Sequence, residues 1–370
     1  MAALERYIHT GATPGGDGES NALTDDASGH RAFSTMSEME AAMDGVQTYS
    51  AGNELTVYCS GTAADTSGTV TFSGWTITTE NGVVIRGHDS TATDQTNSGA
   101  GFNDDKSSVY STSHYRMEED GDIVVFAEGG LSFERLQFAI GDNASGSTHV
   151  VFDLSPSIPG GDPKINIFGN RFRRTGTTTS GFTIAVFIND LVEVAVNGNL
   201  CTGGSDTWDD FLHSLYQAGP HVAFNNTVRD CGEGIKEGSS ATSAAKARNN
   251  AVFECTDDFD VDATTAWTLT HNASDDGDGT SAQTLNGTRT VDFVDPASGD
   301  YTPTDGGVLA DNGIGPSSDS DVPSEDAFGT AISGDSCDIG WIQRVASGGQ
   351  PTMRRWGGTP GMNYSGQAGW

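Results

Sequence analysis

Ile165-Asn-Ile-Phe-Gly-Asn170-Arg-Phe, Val194-Ala-Val-Asn-Gly-Asn199-Leu-Cys, Val222-Ala-Phe-Asn-Asn226-Thr-Val, Ala247-Arg-Asn-Asn250-Ala-Val and Leu269-Thr-His-Asn272-Ala write one phrase five times. Each has a short apolar or alternating run, an Asn-bearing corner, then another apolar residue. The final Asn recurs at 170, 199, 226, 250 and 272, in steps of 29, 27, 24 and 22 residues. A drifting period in the twenties marks a solenoid whose loops differ in length. Each unit opens on a β-like run and has no room for two helices, so a coil of about three short strands per turn fits.

The corner chemistry agrees. Asn tolerates the left-handed backbone region better than other non-glycine residues and can turn a sharp corner between strands. Stacked coils bring equivalent Asn side chains above one another, where they hydrogen-bond along the stack. Asn225-Asn-Thr-Val-Arg-Asp-Cys231 and Asn249-Asn-Ala-Val-Phe-Glu-Cys255 match position by position, and Cys201 follows Asn199 closely. These predict stacked thiols in a core, where free Cys behaves as a small hydrophobe. The pattern resembles the right-handed parallel β-helix of the pectate-lyase-like superfamily over most of the chain. That resemblance implies an all-β, single-stranded parallel β-helix. It does not imply an activity, because this fold serves lyases, hydrolases, adhesins and virus spikes alike.

A solenoid absorbs all 370 residues without a domain division, since length adds coils. Acidic residues number 51 against 18 basic ones, for a formal charge of −33. Self-repulsion therefore makes nucleic acid and anionic membranes poor partners. Lys contributes only 4 of the basic residues and Arg 14. An acidic, Lys-poor surface suits very high salt, where screening is short-ranged; an ordinary acidic extracellular protein is the other reading. Cys59, Cys201, Cys231, Cys255 and Cys337 are odd in number and form no CxxC, which favours neither a disulfide scaffold nor a zinc site. No stretch approaches the ~18 apolar residues of a membrane span. The start, Met1-Ala-Ala-Leu-Glu-Arg, is not a basic segment followed by an apolar run. That start is expected of a cytosolic protein, of one trimmed of its leader, or of a virion component released at lysis.

Four regions follow. Residues 1–54 hold a leading strand at Tyr7, a Gly-rich loop from Gly11 to Asn21, and a short helix over 34–43. Ser34 or Thr35 caps that helix, and Met36, Met39 and Met43 share its apolar face as a lid on the first coil. Residues 55–295 form the coils, with a polar loop over 88–113. Residues 296–343 close the solenoid, and 344–370 are an extended Gly/Arg/Trp tail. The start is similar to that of many β-helix proteins, including ones encoded by tailed viruses. The ending Phe293-Val-Asp-Pro-Ala-Ser-Gly-Asp-Tyr301, with Cys337-Asp-Ile-Gly-Trp341, closely resembles that of bacterial and viral β-helix proteins. It departs from them in lacking the usual apolar-Ser-Pro-Ala run before Asp311.

A polysaccharide lyase needs Ca²⁺-holding carboxylates and an Arg or Lys base. Lys164, Arg171, Arg173 and Arg174 near Asp162 are candidates, as are Arg229 and Asp230 with Glu233 and Lys236. Alternation places Arg171 and Arg173 on one strand face and Arg174 on the other. Hydrolysis needs paired carboxylates. Asp206, Asp209 and Asp210 supply them, Trp208, His213 and Tyr216 offer a sugar subsite, and Asp257, Asp258, Asp260 and Asp262 join from a neighbouring coil. The excursion around Trp208–Tyr216 reads as a strand or one helical turn. In so acidic a chain such clusters also arise by chance, so no catalytic set is assigned; were the chain an enzyme, Arg173, Asp206, Asp209 and Asp210 would carry it. Asp275, Asp276 and Asp278 are weak candidates for Ca²⁺, the only cofactor in view, and lack the later bidentate Glu of an EF-hand. In the tail region Arg344, Arg354, Arg355, Trp356, Tyr364 and Trp370 are residue types that anchor interfaces.

The expectation is a non-enzymatic structural protein on the exterior of a tailed-virus particle: a capsid decoration or turret, or a tail-fibre or spike component. It would contact virion proteins and host surface glycans, at the virion surface or, failing that, outside the cell. The acidic composition suggests a halophilic, archaeal host. The resemblance implies a homo-oligomer, trimers above all. The alternative is a carbohydrate-active β-helix enzyme, a polysaccharide lyase or glycoside hydrolase.

Overall fold

The computed structural model describes residues 4–45, 48–87, 112, 114–141, 147–154, 158, 162–176, 182–189, 192–203, 207–214, 221–238, 245–261 and 267–344. The chain is an all-β parallel solenoid. Its strands stack into two sheets of nine and one of seven, and each coil visits the three in turn. The first sheet runs from Leu4–His9 to Thr268–Thr270, the second from Ala64–Asp65 to Gln283–Thr284, and the third from Val70–Phe72 to Asp257–Asp260. The polar stretch 88–113 lies outside the described residues apart from Thr112.

The core is built from columns of inward side chains in strict register. In the first sheet Val57, Ile85, Phe133, Ile167, Val196, Ala223, Ala247 and Leu269 stack one above another. The second sheet stacks Met117, Phe138, Phe172, Cys201, Val228 and Val252. Phe133, Phe138, Phe152 and Phe172 pack edge-on or offset in the middle coils, with ring centroids 4.7–5.8 Å apart.

At the first-to-second-sheet corner the Asn motif does two jobs with two residues. The left-handed residue is the one before the ladder Asn: Gly169, Gly198, Asn225, Asn249 and His271 all have φ of 56–68°. The following Asn170, Asn199, Asn226, Asn250 and Asn272 are fully buried. Each Oδ1 accepts the backbone N–H of the ladder residue one coil earlier, at 2.9–3.1 Å from Asn170 to Asn250. Each Nδ2 donates to a first-sheet carbonyl, such as Val196 O from Asn226 at 2.8 Å. Leu136 opens the series, its N–H donating to Asn170 Oδ1. The N–H groups that the bend turns away from the strand ladder are thereby paired inside the coil.

The cysteines depart in part from expectation. Cys231 and Cys255 are equivalent, each following a left-handed acid (Asp230, Glu254) and directing its thiol to the carbonyl two residues back. Cys201 sits instead in the second-sheet column, in register with Val228. All five are free thiols, and burial pushes the Cys231 thiol far above its usual range.

The lid helix spans Met36–Met43, with Thr35 as N-cap and Met36, Met39 and Met43 buried. Thr35 Oγ1 accepts Glu38 N–H at 3.1 Å, and the Glu38 carboxylate reaches back one residue beyond the cap to accept Ser34 N–H at 2.7 Å. Among the described residues no helix is long and apolar enough to cross a membrane.

The region after Phe293 does more than close the end. It begins with an antiparallel pair, Phe293–Asp295 with Asp300–Pro303. Residues 313–342 then run back along the outside of the first-to-second-sheet corner as a strap. Ile314 N–H donates to Asn249 Oδ1, and Asp319 and Asp321 pair with Arg248 and Lys246. Val322 covers Ala195, Val222 and Phe224. Ala327 lies over Gly169 and Gly198, and Trp341 stacks under Arg171, 5.5 Å from its guanidinium carbon. The strap thus buries the outward apolar face of several coils.

Candidate functional site

The third sheet carries the densest set of chemically capable side chains. Its strands share a stacked irregularity. Register runs through Ile184, Asp210, Glu233 and Asp257, and again through Val186, Leu212, Ile235 and Phe259, while Ala185, Phe211, Gly234 and Asp258 stand between them. Ala185 and Phe211 belong to the core, as do Val186 and Leu212. In these two strands two adjacent residues therefore point inward, a break in the alternation at the same register position in both. Gly234 is required at its place, because a Cβ there would come within 2.5 Å of Asp258 O and closer still to Val252.

Two columns therefore stand side by side, Ile184–Asp210–Glu233–Asp257 and Phe187–His213–Lys236–Asp260, with Ile184 and Asp210 buried at the start of the first. His213 Nδ1 lies 2.7 Å from Asp210 Oδ2, and Phe187 meets the His213 ring edge-on at 5.6 Å. Asp210 shares a hydrogen bond with Glu233, which raises the Glu233 pKa above the usual carboxylate range. Glu233 in turn pairs with Lys236, and Asp260 stands 3.9 Å from the Lys236 ammonium. The result is a chain of four, His213–Asp210–Glu233–Lys236, crossing two coils. Burial works against the Lys236 charge, but Glu233, Asp210 and Asp260 together hold its pKa above the ordinary lysine value.

This geometry is poorly poised for the expected chemistries. Carboxyls in hydrogen-bond contact are closer than the ~5–5.5 Å or ~6.5–9.5 Å of glycosidase pairs. A lyase base needs a lowered pKa, and Lys236 has a raised one. What the face offers is a line of alternating acceptors and donors beside a half-buried aromatic ring.

The sequence-predicted residues scatter. Asp210 and His213 enter this cluster, with Glu233, Lys236, Asp257 and Asp260. Trp208, expected as a sugar platform, is instead core: it is 1 % exposed and its indole N–H donates to Thr202 O. Asp209 is used locally, accepting from Thr183 N–H and Oγ at 2.6 and 3.0 Å. Arg173 faces outward on the second sheet, in register with Ala139 and Thr202; it is Arg174 that reaches Thr183 and hence Asp209. Arg171 is buried despite its outward position, because the strap covers it. Asp206, Tyr216 and Asp262 lie outside the described residues, as do Arg354, Arg355, Trp356, Tyr364 and Trp370.

Arg344, expected to dock a partner, is bound within the chain. Asp305, Asp311 and Asp338 hold its guanidinium, each at 2.8 Å, and the Asp338 bond leads in raising its pKa. Asp275 and Asp276 are exposed on the turn that follows the second-sheet strand Ala273–Ser274. Asp275 pairs with Arg289, and its N–H donates to the buried Asp258 at 2.7 Å. Asp278 is pushed up to about 6 by burial and by Asp276. The equal spacing of Asp210 and Glu233 within their strands was the available signal for the cluster, but the break in alternation beside them has no sequence signature.

No protein-family model matches the chain, and no curated protein matches it.

Proposed function

We propose that the chain is a structural β-solenoid of the exterior of a tailed-virus particle whose third-sheet face contacts glycans. The observation that carries the glycan part is the line of the partly exposed Phe187, His213, Glu233 and Lys236, with the buried Asp210 behind His213 and Glu233, giving donors, acceptors and an aromatic edge at the spacing of successive coils. A neutral sugar chain suits it better than an anionic one, because the surrounding charge is strongly negative. The virion part rests on the resemblance at both ends and on the Arg/Trp-rich segment that continues beyond the Arg344 clamp. The particle's host and the stoichiometry of the assembly belong to the same proposal: a halophilic archaeal host and a homo-oligomer.

A carbohydrate-active enzyme is the second reading, resting on the fold's resemblance to lyases and hydrolases rather than on the spacing of Asp210 and Glu233. One experiment separates them. Full-length protein and Lys236→Ala, His213→Ala and Phe187→Ala variants are tested for retention on immobilised neutral and anionic polysaccharides, and for release of reducing or unsaturated ends. Retention on a neutral glycan, weakened by the substitutions and without product release, is expected. Turnover lost in Glu233→Gln would establish the enzyme instead. Light scattering of residues 1–344 beside the full chain tests the tail: an oligomer that survives the cut overturns docking through residues 345–370. The cut belongs after Arg344, because removing Arg344 would also break its three-carboxylate clamp.

A further inference from the structure

The loop between the leading strand and the lid helix brings three ligand atoms together from separate segments. His30 Nδ1 is 2.6 Å from Asp17 Oδ2 and 3.4 Å from Glu19 Oε2. Among the described residues this is the group of His, Cys, Asp and Glu whose donor atoms all fall within 4.8 Å of one another. We propose that Asp17, Glu19 and His30 hold a divalent transition-metal ion.

Convergence here is imposed by the frame. Tyr7 N–H donates to Gly18 O and Gly18 N–H to Arg31 O, both at 2.9 Å, so this loop extends the first sheet beyond its leading strand. Gly18 has φ of 71°, and a Cβ on it would come to 2.2 Å from the Phe33 ring. Asp17 and Glu19 flank that pinned glycine, and His30 precedes its hydrogen-bond partner Arg31. The ligands are also oriented from behind, as in metal sites. Asp17 Oδ1 accepts Glu19 N–H at 3.0 Å, Glu19 Oε1 takes Arg6 Nη2 at 3.0 Å, and Asp26 Oδ1 takes His30 N–H at 3.1 Å. Ligands ~2.0–2.2 Å from one ion stand a little over 3 Å apart, so a small outward movement admits the metal. A ring nitrogen among carboxylate oxygens selects zinc, cobalt or manganese over calcium and magnesium. Bound there, the ion staples the loop to the leading strand at the end of the solenoid. Water fills the remaining coordination positions, since the three side chains are partly exposed.

The test is titration of the full chain with Zn²⁺ and Co²⁺ by calorimetry, in molar NaCl to suppress diffuse binding to the acidic surface. Saturable one-to-one binding is expected, with a Co²⁺ spectrum free of thiolate charge-transfer bands, which excludes the buried cysteines. His30→Ala is expected to weaken binding by about tenfold or more, and His30→Asp to shift preference toward Ca²⁺. Circular dichroism checks that the variants fold. No saturable binding by the full chain, or binding unchanged in both His30→Ala and Asp17→Asn, would overturn the assignment.

Discussion

Asn225 and Asn226 are adjacent and do opposite work: Asn225 bends the backbone at φ 56°, and Asn226 turns its amide into the interior to receive the bonds that the bend leaves over. Within two residues the chain changes direction and supplies the acceptor for the buried N–H of Asn199 one coil earlier. The same pair of roles, filled by Gly169–Asn170, Gly198–Asn199, Asn249–Asn250 and His271–Asn272, makes the corner the most repetitive element of the molecule.

Asn226→Ala removes the acceptor of Asn199 N–H and Nδ2, at 2.9 and 3.0 Å, and the donor to Val196 O. Each buried group left unpaired costs about 1–3 kcal/mol. Urea denaturation is expected to show a loss of about 3 kcal/mol or more, and a loss under about 1 kcal/mol would show that water replaces the ladder.

Gly198→Val places a β-branched residue at φ 60° beneath Ala327, whereas Asn225→Gly keeps the left-handed backbone. The first is expected to cost about 1–3 kcal/mol and the second well under 1 kcal/mol, roughly, from glycine's added chain entropy. Equal effects in thermal unfolding would refute the division of labour at the corner.

Two buried groups give pH slopes of opposite sign. His221, with neither ring nitrogen bonded, is lowered to about 4 by burial. Its stability contribution is present above the unfolded value of about 6.5 and is lost as pH falls toward 4, by up to about 3 kcal/mol. Asp258, raised to about 7 chiefly by burial, stabilises most below the unfolded carboxylate pKa and loses that contribution as pH rises through 7. His221→Leu is therefore expected to flatten the acid limb of a melting-temperature profile, and Asp258→Asn the limb leading to pH 7. An unchanged profile in either variant removes that group from the account.

With 51 acidic and 18 basic residues, self-repulsion opposes the fold until it is screened. The melting temperature is expected to climb with NaCl from 0.1 M toward molar concentrations. A flat or falling curve would remove the argument for a saline habitat.

The solenoid and its corners were legible because the Asn period is a direct image of the coil, and the lid helix because its Met spacing and cap are local. The third-sheet cluster was half legible. Asp210 and His213 stand out as types, but the adjacent inward pair Phe211–Leu212 breaks the alternation between them, and Trp208 lies in phase with Leu212 in the core. The surroundings of Arg171 and Arg344 were not legible for a related reason: the strap and the carboxylates of Asp305, Asp311 and Asp338 reach them from far along the chain. The Asp17–Glu19–His30 group was missed because its members converge only through backbone pairing with Tyr7 and Arg31.

The strap also counts the coils. Val322 must meet Phe224, Asp319 must meet Arg248 and Ala327 must meet Gly169, so its contacts are fixed to coils at set distances along the axis. A solenoid without such a splint can gain or lose a repeat with little effect on the others. Here, duplicating or deleting one coil between Gly169 and Asn249 would put the strap's contacts out of step, so the strap ties its own length to the number of coils it crosses.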